Sequence, residues 1–158
     1  MASVRHTLTR FATYAQMAAE TFVLHRDRRY LFVLLINDTC NLNCFYCTSK
    51  NTGCFNMDAA TVHNSLSAAY RRGHRALAIT GGEPTLWRDD SMTVADVVDE
   101  ARRLGFLDVS MFTNGTMPLR CGVSVYFVSV DGTREVHNAF RGGSYNKCWR
   151  TSARPMPA

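Results

Sequence analysis

The sequence has no long hydrophobic run. Its longest uninterrupted apolar stretch, residues 31–36, is six residues, whereas a membrane-spanning helix needs roughly 20. The first 30 residues also lack the apolar centre and small-residue cleavage site of a secretory signal. A soluble, cytoplasmic protein without a membrane span is expected. No internal repeat and no low-complexity segment is present. The 158 residues, 46% apolar and 20% charged, match one domain of ordinary size. That composition excludes a disordered tail, a collagen-like fibre and a coiled coil.

Acid is scarce at both ends. Residues 1–30 carry five Arg against Glu20 and Asp27, and residues 141–158 carry Arg141, Lys147, Arg150 and Arg154 with no acid at all. The middle is slightly acidic, although the chain as a whole is +5. A nucleic-acid binder would carry its basic stripe on the folded body. The excess here reads as solvated termini, so no nucleic-acid partner is expected.

Cysteine is not scarce: Cys40, Cys44, Cys47, Cys54, Cys121 and Cys148 make six. An even count suggests disulfides in a small secreted chain, but no secretion signal accompanies it. Three of the six fall within eight residues, which points to a metal site. The spacing over residues 40–47 (CNLNCFYC) is C-x3-C-x2-C. A closed zinc site takes four ligands, and an electron-transfer 4Fe-4S cluster usually takes four Cys. A cubane held by three leaves one iron open for chemistry. Cys54 is the residue that would supply a fourth thiolate, giving a non-catalytic iron–sulfur or zinc module instead.

Hydrophobic periodicity organises the rest. Leu8, Phe11, Ala15, Ala18 and Phe22 share one face of an amphipathic helix over residues 7–24, expected to dock on the domain. Residues 1–30 form this helix and a basic connector. Residues 31–37 (LFVLLIN) read as a strand buried on both faces. A helix follows over residues 58–72, stopped by Gly73. Residues 76–80 are a second strand and residues 107–113 and 123–130 a third and fourth. Thr93 and Asp96 form the start of a capped helix. Strand and helix alternate, which argues for an α/β parallel sheet or barrel. Such folds place their sites at the C-terminal ends of strands. Four loops obey that rule: the cysteine loop, GGEP at 81–84, TNGT at 113–116 and SVDG at 129–132.

Together these motifs resemble the radical S-adenosylmethionine (radical SAM) superfamily. C-x3-C-x2-C with an aromatic before the last cysteine, here Tyr46, is that family's signature. GGEP follows one βα unit later, and TNG, SVDG, His137-Asn138 and Arg141-Gly142 are similar to its later strands. The resemblance covers residues 31–143, and residues 144–158 read as a basic, Pro-containing, unstructured tail. It implies an incomplete parallel (βα) barrel, since the family's barrel has about six units and four strands are legible. That pattern reads as a core truncated after the fourth strand, or as one completed by a further subunit.

The resemblance also implies the site. Cys40, Cys44 and Cys47 would bind three irons of a 4Fe-4S cluster, with S-adenosyl-L-methionine on the fourth. Tyr46 would lie near the adenine, and Gly81, Gly82 and Glu83 would receive the methionine amino group. Asn114, Ser129 and Asp131 would face the cofactor near its ribose or carboxylate. Reductive cleavage would give a 5′-deoxyadenosyl radical that abstracts hydrogen from a small-molecule or peptide substrate. A flavodoxin or ferredoxin would supply the electron. The residues agree in chemistry: an ammonium needs acceptors, which carbonyls and Glu83 offer. Glycines permit close approach of backbone. His137 is as well read as a structural residue as a substrate contact. Arg141 could meet an anion or end a helix.

Overall fold

The computed structural model describes residues 2–26, 29–48 and 54–152. The chain divides into two compact units, residues 1–30 and 31–158. In the first, α1 (Ala2–Ala18) runs directly into one π-helical turn, Ala19–Val23. Tyr30 returns to this helix, its hydroxyl donating to Glu20 Oε2 at 3.0 Å. Among the described residues, no helix is long and apolar enough to cross a membrane.

The second unit is built on four strands: β1 (Leu31–Leu35), β2 (Ala76–Thr80), β5 (Asp108–Thr113) and β6 (Val125–Val128). They pair in the order β1-β2-β5-β6, and every pairing is parallel. Two short strands, β3 (Arg88–Asp89) and β4 (Met92–Thr93), form a separate antiparallel hairpin. The crossovers are α2 (Ala59–Arg71) and α3 (Val94–Leu104). β5 and β6 are joined by a loop without a helix, as the short spacing requires.

The helix ends follow local chemistry. Asp58 Oδ1 accepts from Thr61 N–H at 2.6 Å, and Asp89 Oδ2 from Ala59 N–H at 2.6 Å, at the start of α2. Thr93 and Asp96 close a reciprocal capping box on α3. Gly105 ends that helix at φ 105°, a conformation that costs glycine least.

One face of the sheet is packed. Leu34, Ile36, Leu77, Ile79, Val109 and Met111 meet Val62 and Leu66 of α2 and Val97, Val98 and Ala101 of α3. Trp87 is fully buried in the same core, and its Nε1–H donates to Met57 O at 2.9 Å. The opposite face differs from the expectation for β1. Leu31, Val33 and Leu35 are each about half exposed, as are Phe112 and Phe127, whose rings stack at 4.7 Å. A strand buried on both faces needs cover on both, and α2 and α3 supply it on one. Four strands do not close around the other.

Two segments beyond β6 complete the unit: α4 (Arg134–Arg141) and α5 (Tyr145–Ser152). The second corrects the sequence reading of residues 144–158 as unstructured coil as far as residue 152, and residues 153–158 lie outside the described residues. Helix α5 buries Cys148 completely, so a packed thiol organises what composition alone presents as a basic tail.

Replacing Thr93 by Ala removes the hydroxyl half of the capping box. A loss of about 1 kcal/mol is expected in urea denaturation. Asp96 is held below the usual carboxyl range by its bonds from Thr93. Its contribution is therefore present above about pH 4 and fades as pH falls below that.

Candidate functional site

Four strand ends carry the site, and two of them are sealed together by glycine. A Cβ on Gly81 would stand 2.3 Å from Asn37 O, and one on Gly82 would stand 2.3 Å from Thr39 O and 2.5 Å from Asp38 O. No side chain fits there. The GGEP loop thus lies flat against the chain leaving β1, just before Cys40. Gly82 N–H donates to Asn37 O at 2.8 Å and Glu83 N–H to Thr39 O at 2.7 Å. The glycines were expected to admit a ligand; the close approach that requires them is to the neighbouring loop.

Glu83 is fully buried. Its Oε1 accepts from Thr85 N–H at 3.2 Å, Thr85 Oγ1 at 2.7 Å and Thr113 Oγ1 at 2.8 Å. Its Oε2 accepts from Asn114 N–H at 2.7 Å. The carboxylate thereby ties the GGEP loop to the end of β5 and the TNG turn.

The cysteine loop lies between two walls. Cys44 is buried, and Cys40 and Cys47 are half-buried. Cys40 Sγ accepts from Leu42 N–H at 3.4 Å and Asn114 Nδ2 at 3.6 Å. Burial pushes the Cys44 thiol up, Arg141 works against this, and Cys40, Cys47 and Asp131 add to it. The three thiols are therefore near enough to sense one another or a shared charge. Among the described residues, no three Cys, His, Asp or Glu groups are gathered for a single metal ion. A cubane takes one thiolate per iron and does not ask for that spacing. Soft thiol donors, N–H groups aimed at one sulfur and a nearby guanidinium fit an iron–sulfur cluster. Cys54 is exposed, and its N–H donates to Asp38 Oδ2 at 3.0 Å.

The second wall is α4. Phe45 N–H donates to Phe140 O at 3.0 Å, and the Phe45 and Tyr46 rings both lie 6.2 Å from that of Phe140. The Tyr46 hydroxyl donates to Asp131. Arg141 grips the same carboxylate with two bonds, Nε to Oδ2 at 2.7 Å and Nη2 to Oδ1 at 3.2 Å. The Arg141 bond holds the Asp131 carboxyl below its usual range, against the effect of burial. Tyr46, Asp131, Gly132, Val136, Phe140 and Arg141 line a shallow depression of about 570 Å³.

Behind this pair sits His137, fully buried. Its Nδ1 accepts from Asp131 N–H at 3.3 Å, so Nε2 carries the proton and donates to Ser144 Oγ at 2.8 Å. Ser144 passes the chain on to Arg141 O at 3.0 Å. Burial lowers the His137 pKa, in keeping with a neutral ring.

The structure thus gathers Cys40, Cys44, Cys47, Tyr46, Gly81, Gly82, Glu83, Asn114 and Asp131 on one rim. Ser129 lies just beyond β6, its N–H donating to Thr113 O at 3.0 Å. Sequence reading missed Asn41, Thr113, Thr116 and Cys148, and left Arg141 out. Arg141 had a signal, a basic residue ending a helix that starts just after an Asp-Gly turn. Thr113 and Thr116 fall inside the TNGT motif and Asn41 inside the cysteine loop, but their pairings, like that of Cys148, span about 30 to 75 residues and leave no mark in the sequence.

Two outcomes follow. Glu83→Gln places an amide group among donors, and a loss on the order of 2 kcal/mol is expected in chemical denaturation. His137 protonates more readily unfolded than folded. The stability it supports is present above about pH 6.5 and declines as pH falls further. A melting temperature that falls over that window in the native chain, and falls less in His137→Asn, is the expected result.

Comparison with known proteins bears on this rim. The model of the radical SAM superfamily matches residues 34–154. A "Probable GTP 3′,8-cyclase" of Thermoplasma volcanium is 34% identical over 84 residues, 52% of this chain and 24% of the relative. Its namesake in Methanothermobacter thermautotrophicus is 33% identical over 86 residues, 53% of this chain and 27% of the relative. The chain thus spans about a quarter of these curated relatives. Among solved structures, anSMEcpe with bound AdoMet aligns at TM-score 0.60 and 22% identity, over 77% of this chain and 40% of that one. Streptococcus suis SuiB bound to the precursor peptide SuiA aligns at TM-score 0.61 and 16% identity, over 82% and 31%. These likenesses agree with the parallel, partial-barrel architecture. The superfamily's cofactors are a 4Fe-4S cluster and S-adenosylmethionine. With its model matched over most of the length, the chain belongs to the radical SAM superfamily.

Proposed function

We propose that this chain binds a 4Fe-4S cluster through Cys40, Cys44 and Cys47 and presents S-adenosylmethionine to it on the GGEP side of the rim. The observation that carries the reading is the seal between the two loops, where Gly81 and Gly82 leave no room for a side chain. It sets the cysteine loop and the methionine-binding loop at one fixed spacing. When bound, the cluster would supply one-electron reduction of the S-adenosylmethionine sulfonium. Every other task falls to the protein.

Those tasks divide among named residues. The Glu83 carboxylate is committed to Thr85, Thr113 and Asn114, so the methionine ammonium would meet backbone carbonyls of residues 81–82. Glu83 shapes the loop that offers them. Tyr46 is half-exposed beside Arg141, whose guanidinium carbon is 5.5 Å from the ring centre. That position suits a face for the adenine. Asp131 holds Arg141 and Tyr46 to one another. Ser129, the residue after β6, would offer its hydroxyl to the cofactor. Hydrogen abstraction from a small-molecule or peptide substrate is the reaction expected, with a one-electron donor of the flavodoxin or ferredoxin kind.

The test is anaerobic reconstitution with iron and sulfide, then EPR of the reduced protein with and without S-adenosylmethionine. A cluster signal that changes on adding S-adenosylmethionine is expected, with loss of the cluster in Cys44→Ala and its retention in Cys54→Ala. Loss in both variants would favour a four-cysteine module with no open iron. A signal indifferent to S-adenosylmethionine would overturn the reading.

A further inference from the structure

The densest web of side chains on the rim joins the Cys40 loop to the TNG turn, and Asn114 is its centre. This residue is 7% exposed, and each of its polar atoms has a partner. Its N–H donates to Glu83 Oε2 at 2.7 Å, and its carbonyl accepts from Cys148 Sγ at 2.9 Å. Its Oδ1 accepts from Thr116 N–H at 2.9 Å and Thr116 Oγ1 at 2.7 Å. A backbone N–H can only donate, so that contact decides which end of the amide is oxygen.

The NH₂ end therefore faces the cysteine loop. It has two N–H bonds and two acceptors, Asn41 Oδ1 at 2.8 Å and Cys40 Sγ at 3.6 Å. Asn41 closes the ring by donating to Thr116 Oγ1 at 2.8 Å. Three side chains thus hold one another, and the remaining N–H points at sulfur. An amide pinned at its backbone, its oxygen and its other hydrogen has no freedom to turn away.

Hydrogen bonds to ligand sulfurs draw electron density from the thiolate and favour the reduced, more negative cluster. We propose that Asn114 is a positioning residue that donates to the Cys40 sulfur and thereby raises the reduction potential of the cluster bound there. This rests on the reading of Cys40 as a cluster ligand. It gives Asn114 a task at the cluster in place of the ribose or carboxylate contact that resemblance implies. Leu42 N–H makes a parallel bond to the same sulfur at 3.4 Å, but a backbone donor survives any side-chain change. Asn114 is the adjustable member of the pair.

The experiment is an EPR-monitored potentiometric titration of the reconstituted full chain, without S-adenosylmethionine, in the native sequence, Asn114→Ser and Asn41→Ala. A serine hydroxyl can still accept from Thr116 N–H two residues on, which preserves the turn, but it is too short to reach Cys40. Asn41→Ala opens the ring and leaves Asn114 held by Thr116. Asn114→Ser should shift the midpoint to more negative potential with iron content unchanged, while Asn41→Ala stays at the native value. A tenfold change in the one-electron equilibrium reads as ~59 mV, and a shift of that order is expected. An unshifted Asn114→Ser overturns the proposal. So does an equal shift in Asn41→Ala, which would mean displacement of the loop, or loss of the cluster from Asn114→Ser, which would mean a role in assembly. Failure of the native chain to take up a cluster would instead sink the cluster reading itself.

Discussion

The buried carboxylate of Glu83 is the constraint on which the rim depends. It stands at the end of β2 and takes hydrogen bonds from its own loop, from the last residue of β5 and from the turn beyond it. A buried acceptor with this many donors fixes the separation of two strand ends. The seal of Gly81 and Gly82 against Asn37, Asp38 and Thr39 then adds β1 to the same rigid set. Three of the four strand ends are thus locked before any cofactor is considered.

The fourth is joined through charge and aromatic packing. Asp131, just beyond β6, is shared by Arg141 from the end of α4 and Tyr46 from the cysteine loop. Phe140 supports the loop from below through its carbonyl and its ring. The cysteine loop is therefore gripped on one side by GGEP and on the other by α4. Its thiols occupy the space between, with Cys44 buried deepest. Being held at both sides would orient each sulfur before a cluster arrives.

Buried polar groups behind the rim carry this precision outward. His137, Ser144 and Cys148 are essentially inaccessible, yet they bond to Asp131, Arg141 and Asn114. These residues come from α4, α5 and the turn between them. Helix α5, which composition presents as a basic tail, turns out to plug the underside of the TNG turn. Its thiol gives the Asn114 carbonyl a donor.

The local signals in the sequence were strong where chemistry is local. Hydrophobic runs marked all four strands, and Thr93, Asp96 and Gly73 marked helix ends through bonds spanning a few residues. The cysteine spacing and GGEP pointed to one rim because parallel sheets put their loops there. Short-range patterns also placed Cys40, Cys44, Cys47 and Tyr46 on a single loop. What only the tertiary structure decided is who touches whom across that rim. The glycines meet the neighbouring backbone, Glu83 meets Thr113 and Asn114, and Arg141 meets Asp131 and Tyr46. Asn114 aims an N–H at Cys40. These pairings join residues about 10 to 85 positions apart, and no periodicity in a linear chain encodes a bond of that length. They exist because parallel strands in register bring distant ends to one height, and buried polar atoms must then find partners there.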